Sequence, residues 1–329
     1  MNKKVFVTGA TGFTGGYLAE ELSKRGYSVL ALSLPNQNVD KLKKLGIEIV
    51  IGDLTKKDTL IDALKGVDTV YHIAAIFREQ NVPNHYFFDV NVGGTKNLLE
   101  AALDNGVRRF VHCSTVGVQG EIKNPPADEK APYGPGDVYQ QSKVEGEKLV
   151  LQFFKENTTI EGVVFRPVGI YGPGDTRFLK IFKFVNSGKF RMIGSGKVLY
   201  HLTYVKDLVD GIILCGEKKE AVGELFTIGG NEYVTLNEYI EHLSEALGVP
   251  VPKKKIPLWP MWIAAVVLET ICYPLRIQPP IYRRRLHFFT KDRAFDISKV
   301  KRILGFKPKT DLKTGLKLTA DWYKEQNLL

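Results

Sequence analysis

Eight residues constrain what this chain can fold into more than any others. Thr8-Gly9-Ala10-Thr11-Gly12-Phe13-Thr14-Gly15 follows a short apolar, β-branched run, Lys4–Thr8, and opens an amphipathic stretch, Phe13–Arg25. The run predicts a buried strand and the stretch a helix. Gly9 permits a tight turn, Gly12 lets the backbone approach a pyrophosphate, and Gly15 lets helix and strand pack closely. The helix start then offers free N–H groups and a positive dipole end to phosphates. A glycine triplet alone is weak evidence, but here a strand precedes it and a helix follows, which is the context that this chemistry needs.

The pattern continues as alternating strands and helices. Ser28–Ser33, Glu48–Gly52, Thr69–His72, Arg109–Cys113 and Gly162–Arg166 read as buried strands. Helices fall between them, the longest near Asn84–Asn105 and another near Val138–Glu156. Such alternation predicts an α/β chain with a Rossmann-type, doubly wound parallel sheet. Pro167, Gly169, Gly172, Pro173 and Gly174 then break the pattern. Residues 1–170 are expected to form the nucleotide-binding domain and 171–329 a smaller C-terminal α/β substrate lobe. A strand near 223–228 is expected to rejoin the main sheet.

Bulk properties exclude several classes. The 329 residues are 44% hydrophobic and 25% charged, with no low-complexity tract or solenoid repeat, as in an ordinary globular protein. The net charge is +10, but Lys and Arg are scattered, so no nucleic-acid site is implied. Cys113, Cys215 and Cys272 are far apart with no CxxC pair, which argues against disulfides or a metal site and suits a reducing compartment. The N-terminus runs straight into a strand, so no signal peptide and a cytoplasmic location are expected.

Ile256–Ile277 stands apart. It is strongly apolar, holds Trp259, Trp262, Val266, Val267, Leu268 and Ile271, and is flanked by Lys253–Lys255, Arg276 and Arg283–Arg285. Pro257, Pro260 and Pro274 interrupt it, leaving too short an apolar run to span a bilayer. Two readings stand: a substrate-lobe helix over an apolar pocket, or a helix in the membrane interface with cations on anionic headgroups.

Tyr139 and Lys143 form a YxxxK pair at the start of a predicted helix, on one face. A free phenol has a pKa near 10. A neighbouring ammonium favours the phenolate, which fits Tyr139 to exchange a proton with an alcohol.

Taken together these motifs resemble the short-chain dehydrogenase/reductase superfamily, whose extended members open with TGxxGxxG. Gly52-Asp53-Leu54 resembles the family's acidic residue on the adenine. His72-Ile73-Ala74-Ala75 resembles its loop beside the cofactor, and Asn91-Val92-Gly93-Gly94-Thr95 its NVxGT motif. The resemblance implies a nicotinamide cofactor held by Gly9, Thr11, Gly12, Phe13, Gly15, Asp53, Leu54, Ala74 and Ala75. It implies that Lys143 also bonds the nicotinamide ribose, and that Pro167 and Val168 lie beside the nicotinamide. His112-Cys113-Ser114-Thr115 resembles the strand-end Ser/Thr pair, so Thr115 aligns with the hydroxyl that orients the substrate oxygen. Leu34 stands where relatives place the residue that discriminates NAD from NADP. Neither an acid nor an Arg is present there, so the choice between NAD and NADP stays open.

Substrate signals are thinner. Val116-Gly117 replace the Asp-Glu of the family's sugar dehydratases, which disfavours elimination of water. Arg166-Pro167-Val168-Gly169-Ile170-Tyr171-Gly172-Pro173-Gly174-Asp175 resembles the family's RPxxxYGPGD segment, with Arg166 a buried structural charge. Tyr200-His201 stand where many nucleotide-sugar epimerases carry Arg-Asp, and the surrounding pattern is closer to the 3β-hydroxysteroid dehydrogenase-like branch. Ser114, Tyr200, His201 and Arg177 are the weaker substrate candidates. The expected activity is hydride transfer to or from a secondary alcohol or ketone carbon of a sterol-like or other apolar compound. The rival is an NAD-dependent UDP-sugar epimerase. The resemblance also implies a homodimer through the helices near Asn84–Asn105 and Val138–Glu156.

Overall fold

The computed structural model describes residues 3–77, 82–272, 277, 279–280 and 282–329. Pro274 and Arg276 of the apolar segment lie outside the described residues. Seven parallel strands form the main sheet: β1 (Lys4–Thr8), β2 (Ser28–Ser33), β3 (Glu48–Ile51), β4 (Thr69–His72), β5 (Arg109–Cys113), β6 (Glu161–Pro167) and β7 (Leu225–Ile228). Their order is β7-β6-β5-β4-β1-β2-β3. β7 does rejoin the sheet, pairing with β6 from Leu225↔Val164 to Ile228↔Pro167.

Residues alternate between two buried faces. Val5, Val7, Val29, Ala31, Tyr71 and Val111 enter one apolar cluster, which includes the helices Phe13–Lys24 and Val205–Glu217. Phe6, Leu30, Leu32, Val70 and Phe110 enter the other, under the helices Thr95–Asp104 and Val138–Glu156. A strand covered on both faces must be apolar at every position, which is why these strands read as continuous runs rather than alternating ones.

The single helix expected over Asn84–Asn105 is instead three pieces. Asn84–Phe88 and Thr95–Asp104 are α-helical, with a π-helical turn, Asp89–Gly94, between them. The reason is tertiary. Asn91 exchanges hydrogen bonds with the Ile76 backbone (2.9 and 3.1 Å) and donates to Ser142 Oγ (2.9 Å). Its carbonyl packs so close to Gly146 that a Cβ there would lie 2.7 Å from it. The wider turn lets Asn91 face the Val138–Glu156 helix.

After β6 the chain builds smaller sheets. Leu199–Tyr204 pairs with both Gly169–Tyr171 and Tyr233–Thr235, and Met192–Ile193 pairs with Lys255–Ile256. A third apolar cluster, including Phe182, Tyr200, Leu243 and Tyr323, fills this region. The apolar segment forms one helix, Leu258–Cys272. Pro260 does not interrupt it, because a proline is tolerated in the first turn, where its missing N–H has no partner anyway. Among the described residues, no helix is long and apolar enough to cross a membrane.

Candidate active site

Strand order reverses between β1 and β4, and in open parallel sheets ligands bind outside the carboxyl ends of strands at such a point. A cavity of about 2960 Å³ opens there, large enough for a dinucleotide and a second molecule. Every site residue singled out in the sequence lines this cavity, the four weaker substrate candidates included.

The glycine loop forms one wall. Gly9 adopts φ +74° and its carbonyl accepts the Gly12 N–H at 3.0 Å. Gly12 precedes the Phe13–Lys24 helix, and no side chain caps that helix start. A Cβ on Gly15 would lie 2.2 Å from Gly9 O, and one on Gly9 would lie 2.8 Å from Ala74 N. The loop thus packs backbone against backbone where a side chain would clash, and its uncapped helix start lines the cavity, which fits a dinucleotide's phosphates. Gly15→Ala is therefore expected to abolish dinucleotide binding and to lower the melting temperature, read by titration of protein fluorescence and by calorimetry.

Behind the loop, Thr8 Oγ1 accepts the Ile73 and Ala74 N–H groups, both at 3.1 Å. Its proton therefore goes to His72 Nδ1 (2.8 Å). His72 Nε2–H donates to Thr95 Oγ1 (2.9 Å), which itself donates to Asn91 O. This brace holds His72 neutral and fixes the Ile73–Ala75 loop beside Gly9. Burial pushes the His72 pKa down to about 3, and Lys143's charge adds to the effect. The unfolded imidazole takes a proton near pH 6.5, whereas the folded one does not until about pH 3. Stability is therefore expected to fall as pH drops from 6.5 toward 3. Melting temperatures recorded across that window check it.

At the end of β2, Leu34 leaves its side chain exposed, at 43%. Gln37, which the sequence did not single out, accepts the Thr11 hydroxyl at 2.9 Å and the Leu34 N–H at 3.4 Å. Asp53 accepts the Thr55 N–H and hydroxyl (2.9 and 2.8 Å). Leu54 is buried under Gly94, where a Cβ would meet Leu54 Cβ at 2.9 Å.

The cavity wall also holds Thr115, Tyr139 and Lys143. Thr115 follows β5 and its Oγ1 accepts the Gly117 N–H (3.0 Å). Tyr139 stands in the first turn of the Val138–Glu156 helix, with the Phe77 ring edge-on at 4.9 Å. Asp137 caps that helix, accepting the Gln140 N–H at 2.8 Å. Lys143, one turn on, is buried and donates from Nζ to Cys113 O at 2.7 Å. Burial lowers its ammonium pKa.

The weaker candidates make contacts within the protein, although His201 Nδ1 is buried without a hydrogen-bond partner. Ser114 donates to Glu147. Tyr200 donates to Phe288 O (2.6 Å) and accepts from Arg293 (2.7 Å). His201 Nε2 contacts Gly230 O at 2.9 Å. Arg177 pairs with Asp175 (2.6 Å) and lies over the Phe13 ring (5.5 Å), bridging the second lobe to the glycine loop. Arg166 is buried, as the sequence suggested, and its partner is Glu147. The sequence also missed Phe178, Phe184, Phe190, Tyr282, Phe288 and Phe289, aromatic residues of the cavity wall. They sit on short or separate elements with no motif to flag them.

Sheet order, glycine cradle and the Thr-Tyr-Lys set together define a nucleotide-binding oxidoreductase of the doubly wound class. The chain belongs to the NAD dependent epimerase/dehydratase family, whose model matches residues 5–229. It is similar to mouse (Mus musculus) sterol-4-alpha-carboxylate 3-dehydrogenase, decarboxylating, at 30% identity over 97% of this chain and 90% of that one. It is 32% identical to 3 beta-hydroxysteroid dehydrogenase/Delta 5-->4-isomerase of Mycobacterium tuberculosis over 93% of this chain and 86% of the other. The structure of UDP-glucuronic acid 4-epimerase from Bacillus cereus in complex with NAD superposes with TM-score 0.78 at 26% identity, covering 98% and 99% of the two chains. The protein is an NAD(P)-dependent enzyme of the extended short-chain dehydrogenase/reductase family.

Proposed function

We propose that the protein oxidises or reduces a secondary carbinol/ketone carbon of a sterol-like, apolar compound. The observation that carries this is the set of aromatic residues in the cavity wall, Phe178, Phe184, Phe190, Tyr282, Phe288 and Phe289. Such a wall rewards burial of apolar surface.

In this reading the cofactor lies along the glycine loop, Leu34, Asp53–Leu54, Ala74–Ala75 and Pro167–Val168. When bound, its nicotinamide supplies the hydride acceptor or donor. Tyr139 takes the carbinol proton, or returns one to the forming alkoxide. Lys143 places a positive charge near the phenol and favours its ionised form. Thr115 Oγ1 already accepts the Gly117 N–H, so its own proton is available to a substrate oxygen. Pro167, Val168 and the aromatic wall exclude water.

A second reading, epimerisation of a UDP-sugar, uses the same residues for oxidation and then for reduction from the opposite face. The likeness to the Bacillus cereus epimerase favours it. Near-UV absorbance with NAD or NADP decides between them. Reduced cofactor accumulating with a 3β-hydroxysteroid supports the first. A changed UDP-sugar isomer ratio without net reduction supports the second.

We read residues 1–170 and 171–329 as the cofactor and substrate lobes. We infer a homodimer through the segments 84–105 and 138–156, which sedimentation velocity tests. We also infer that residues 256–277 meet a membrane surface, and that the protein is cytoplasmic on that membrane.

A further inference from the structure

The Leu258–Cys272 helix buries only Ala265 and Glu269 of its fifteen residues. Trp259 is 69% exposed, and Ile263, Val267 and Ile271 are exposed with it. A helix that is apolar nearly all round belongs in an interior or in lipid. At fifteen residues it is about 22 Å long, short of the roughly 30 Å of a bilayer core, so it lies in the interface rather than across it. Lys253–Lys255 precede it and Arg283–Arg285 follow, while its one acid, Glu269, points inward. That charge pattern complements an anionic lipid surface. A second copy would bring the same cations face to face.

The next described helix, Arg283–Thr290, ties this face to the cavity. Arg283 bonds Glu269 through its backbone N–H (2.8 Å) and Nε (2.6 Å). Arg284 pairs with Asp137 (2.8 Å), the cap of the Tyr139 helix. Just past the helix, Lys291 pairs with Glu121 (3.2 Å). Phe288 and Phe289 on the same helix line the cavity. The helix thus borders the cavity as a strap, tied by two ion pairs to Asp137 and Glu121, which line the same cavity.

We propose that the strap is a latch that an anionic bilayer surface opens. Arg284 is 47% exposed, so its pair with Asp137 is screened and readily exchanged. Docking of the Leu258–Cys272 helix brings Arg283–Arg285 to the headgroups, where lipid phosphate competes for the guanidinium. Released from Asp137, the strap swings off and the aromatic wall of the cavity opens to the bilayer that holds the substrate. Asp137 Oδ1 continues to cap Gln140, so the Tyr139 helix stays formed. The proposal rests on the membrane-facing and lipidic readings above.

The test uses the full chain with phosphatidylcholine vesicles, with and without phosphatidylserine. Co-sedimentation reads binding, amide hydrogen exchange over 283–290 reads the strap, and turnover of a membrane-partitioned hydroxysteroid reads access. Anionic vesicles are expected to bind, to speed exchange in 283–290 and to raise turnover about tenfold, as when an open state near 10% becomes dominant. Arg284→Gln should bind vesicles yet show fast exchange and high turnover without them. Asp137→Asn breaks the same pair but keeps the cap, and should behave alike. Trp259→Ser with Ile263→Ser should lose binding and stimulation while keeping vesicle-free turnover. Absence of vesicle binding, binding without change in 283–290, stimulation of Arg284→Gln equal to wild type, or a dimer abolished by Trp259→Ser would each overturn the proposal. Exchange needs no substrate, so a strap response without steroid turnover would indict the substrate reading alone.

Discussion

Tyr139→Phe is expected to lower turnover by about 10²–10⁴-fold, the usual worth of a positioned acid/base, while leaving NAD(P) affinity unchanged. The phenyl ring keeps the edge-on contact with Phe77 and the place in the first helical turn. Only the hydroxyl is lost. Lys143→Met should behave differently. Its ammonium is buried against Cys113 O, so the variant leaves that carbonyl without its donor and removes a buried positive charge from the cavity wall. Turnover and cofactor affinity should fall together. Steady-state kinetics with cofactor titration separate the two outcomes. Equal loss of cofactor affinity in both variants would count against Tyr139 as the acid/base.

Arg166→Met is expected to destabilise the fold by about 3–5 kcal/mol, the cost of stranding a buried charge. Glu147 is fully buried. Burial pushes its carboxyl pKa up, but the Arg166 hydrogen bonds and charge outweigh this and hold it below the ordinary range. Two guanidinium contacts, the Ser114 hydroxyl and the Tyr133 hydroxyl (2.7 Å) all converge on that carboxylate. Removing Arg166 leaves an anion with no counter-charge behind the Ser114–Thr115 strand end. The double variant Arg166→Met with Glu147→Leu should recover much of the loss, because a pair replaced by apolar groups is often neutral. Chemical denaturation of the three proteins measures the difference. The depressed Glu147 pKa also means that its stabilisation is present above the unfolded value and is lost as pH falls through the folded one. That loss runs in the same direction as that from His72.

Legibility in the sequence followed the range of the interactions. The first six main-sheet strands were readable to within a residue, and the returning one to within two, because burial on both faces leaves a local, unbroken apolar run. The glycine loop and the Tyr139–Lys143 pair were readable because their chemistry fixes residue types at short spacing. The turn at Asp89–Gly94 was not, since what bends it is Asn91 reaching Ile76 and Ser142, a contact between distant segments. Arg166 was read as a buried charge, but its partner Glu147 sits on an otherwise ordinary helix face. The short pairs of the second lobe, such as Met192–Ile193 with Lys255–Ile256, are too brief to carry periodicity. That region also supplies the aromatic residues of the cavity wall, which is why the substrate side was less legible than the glycine loop.

The central claim is hydride transfer from a carbinol carbon through the Thr115–Tyr139–Lys143 site, and isotope transfer tests it most directly. A 3β-hydroxysteroid deuterated at the carbinol carbon is incubated with the purified protein and NAD or NADP, and both products are weighed by mass spectrometry. The account predicts reduced cofactor one mass unit heavy, formed in step with the ketone, and both products formed at least about a hundredfold more slowly by Tyr139→Phe. Unlabelled cofactor and unchanged steroid, alongside a shifted UDP-sugar isomer ratio, would contradict it.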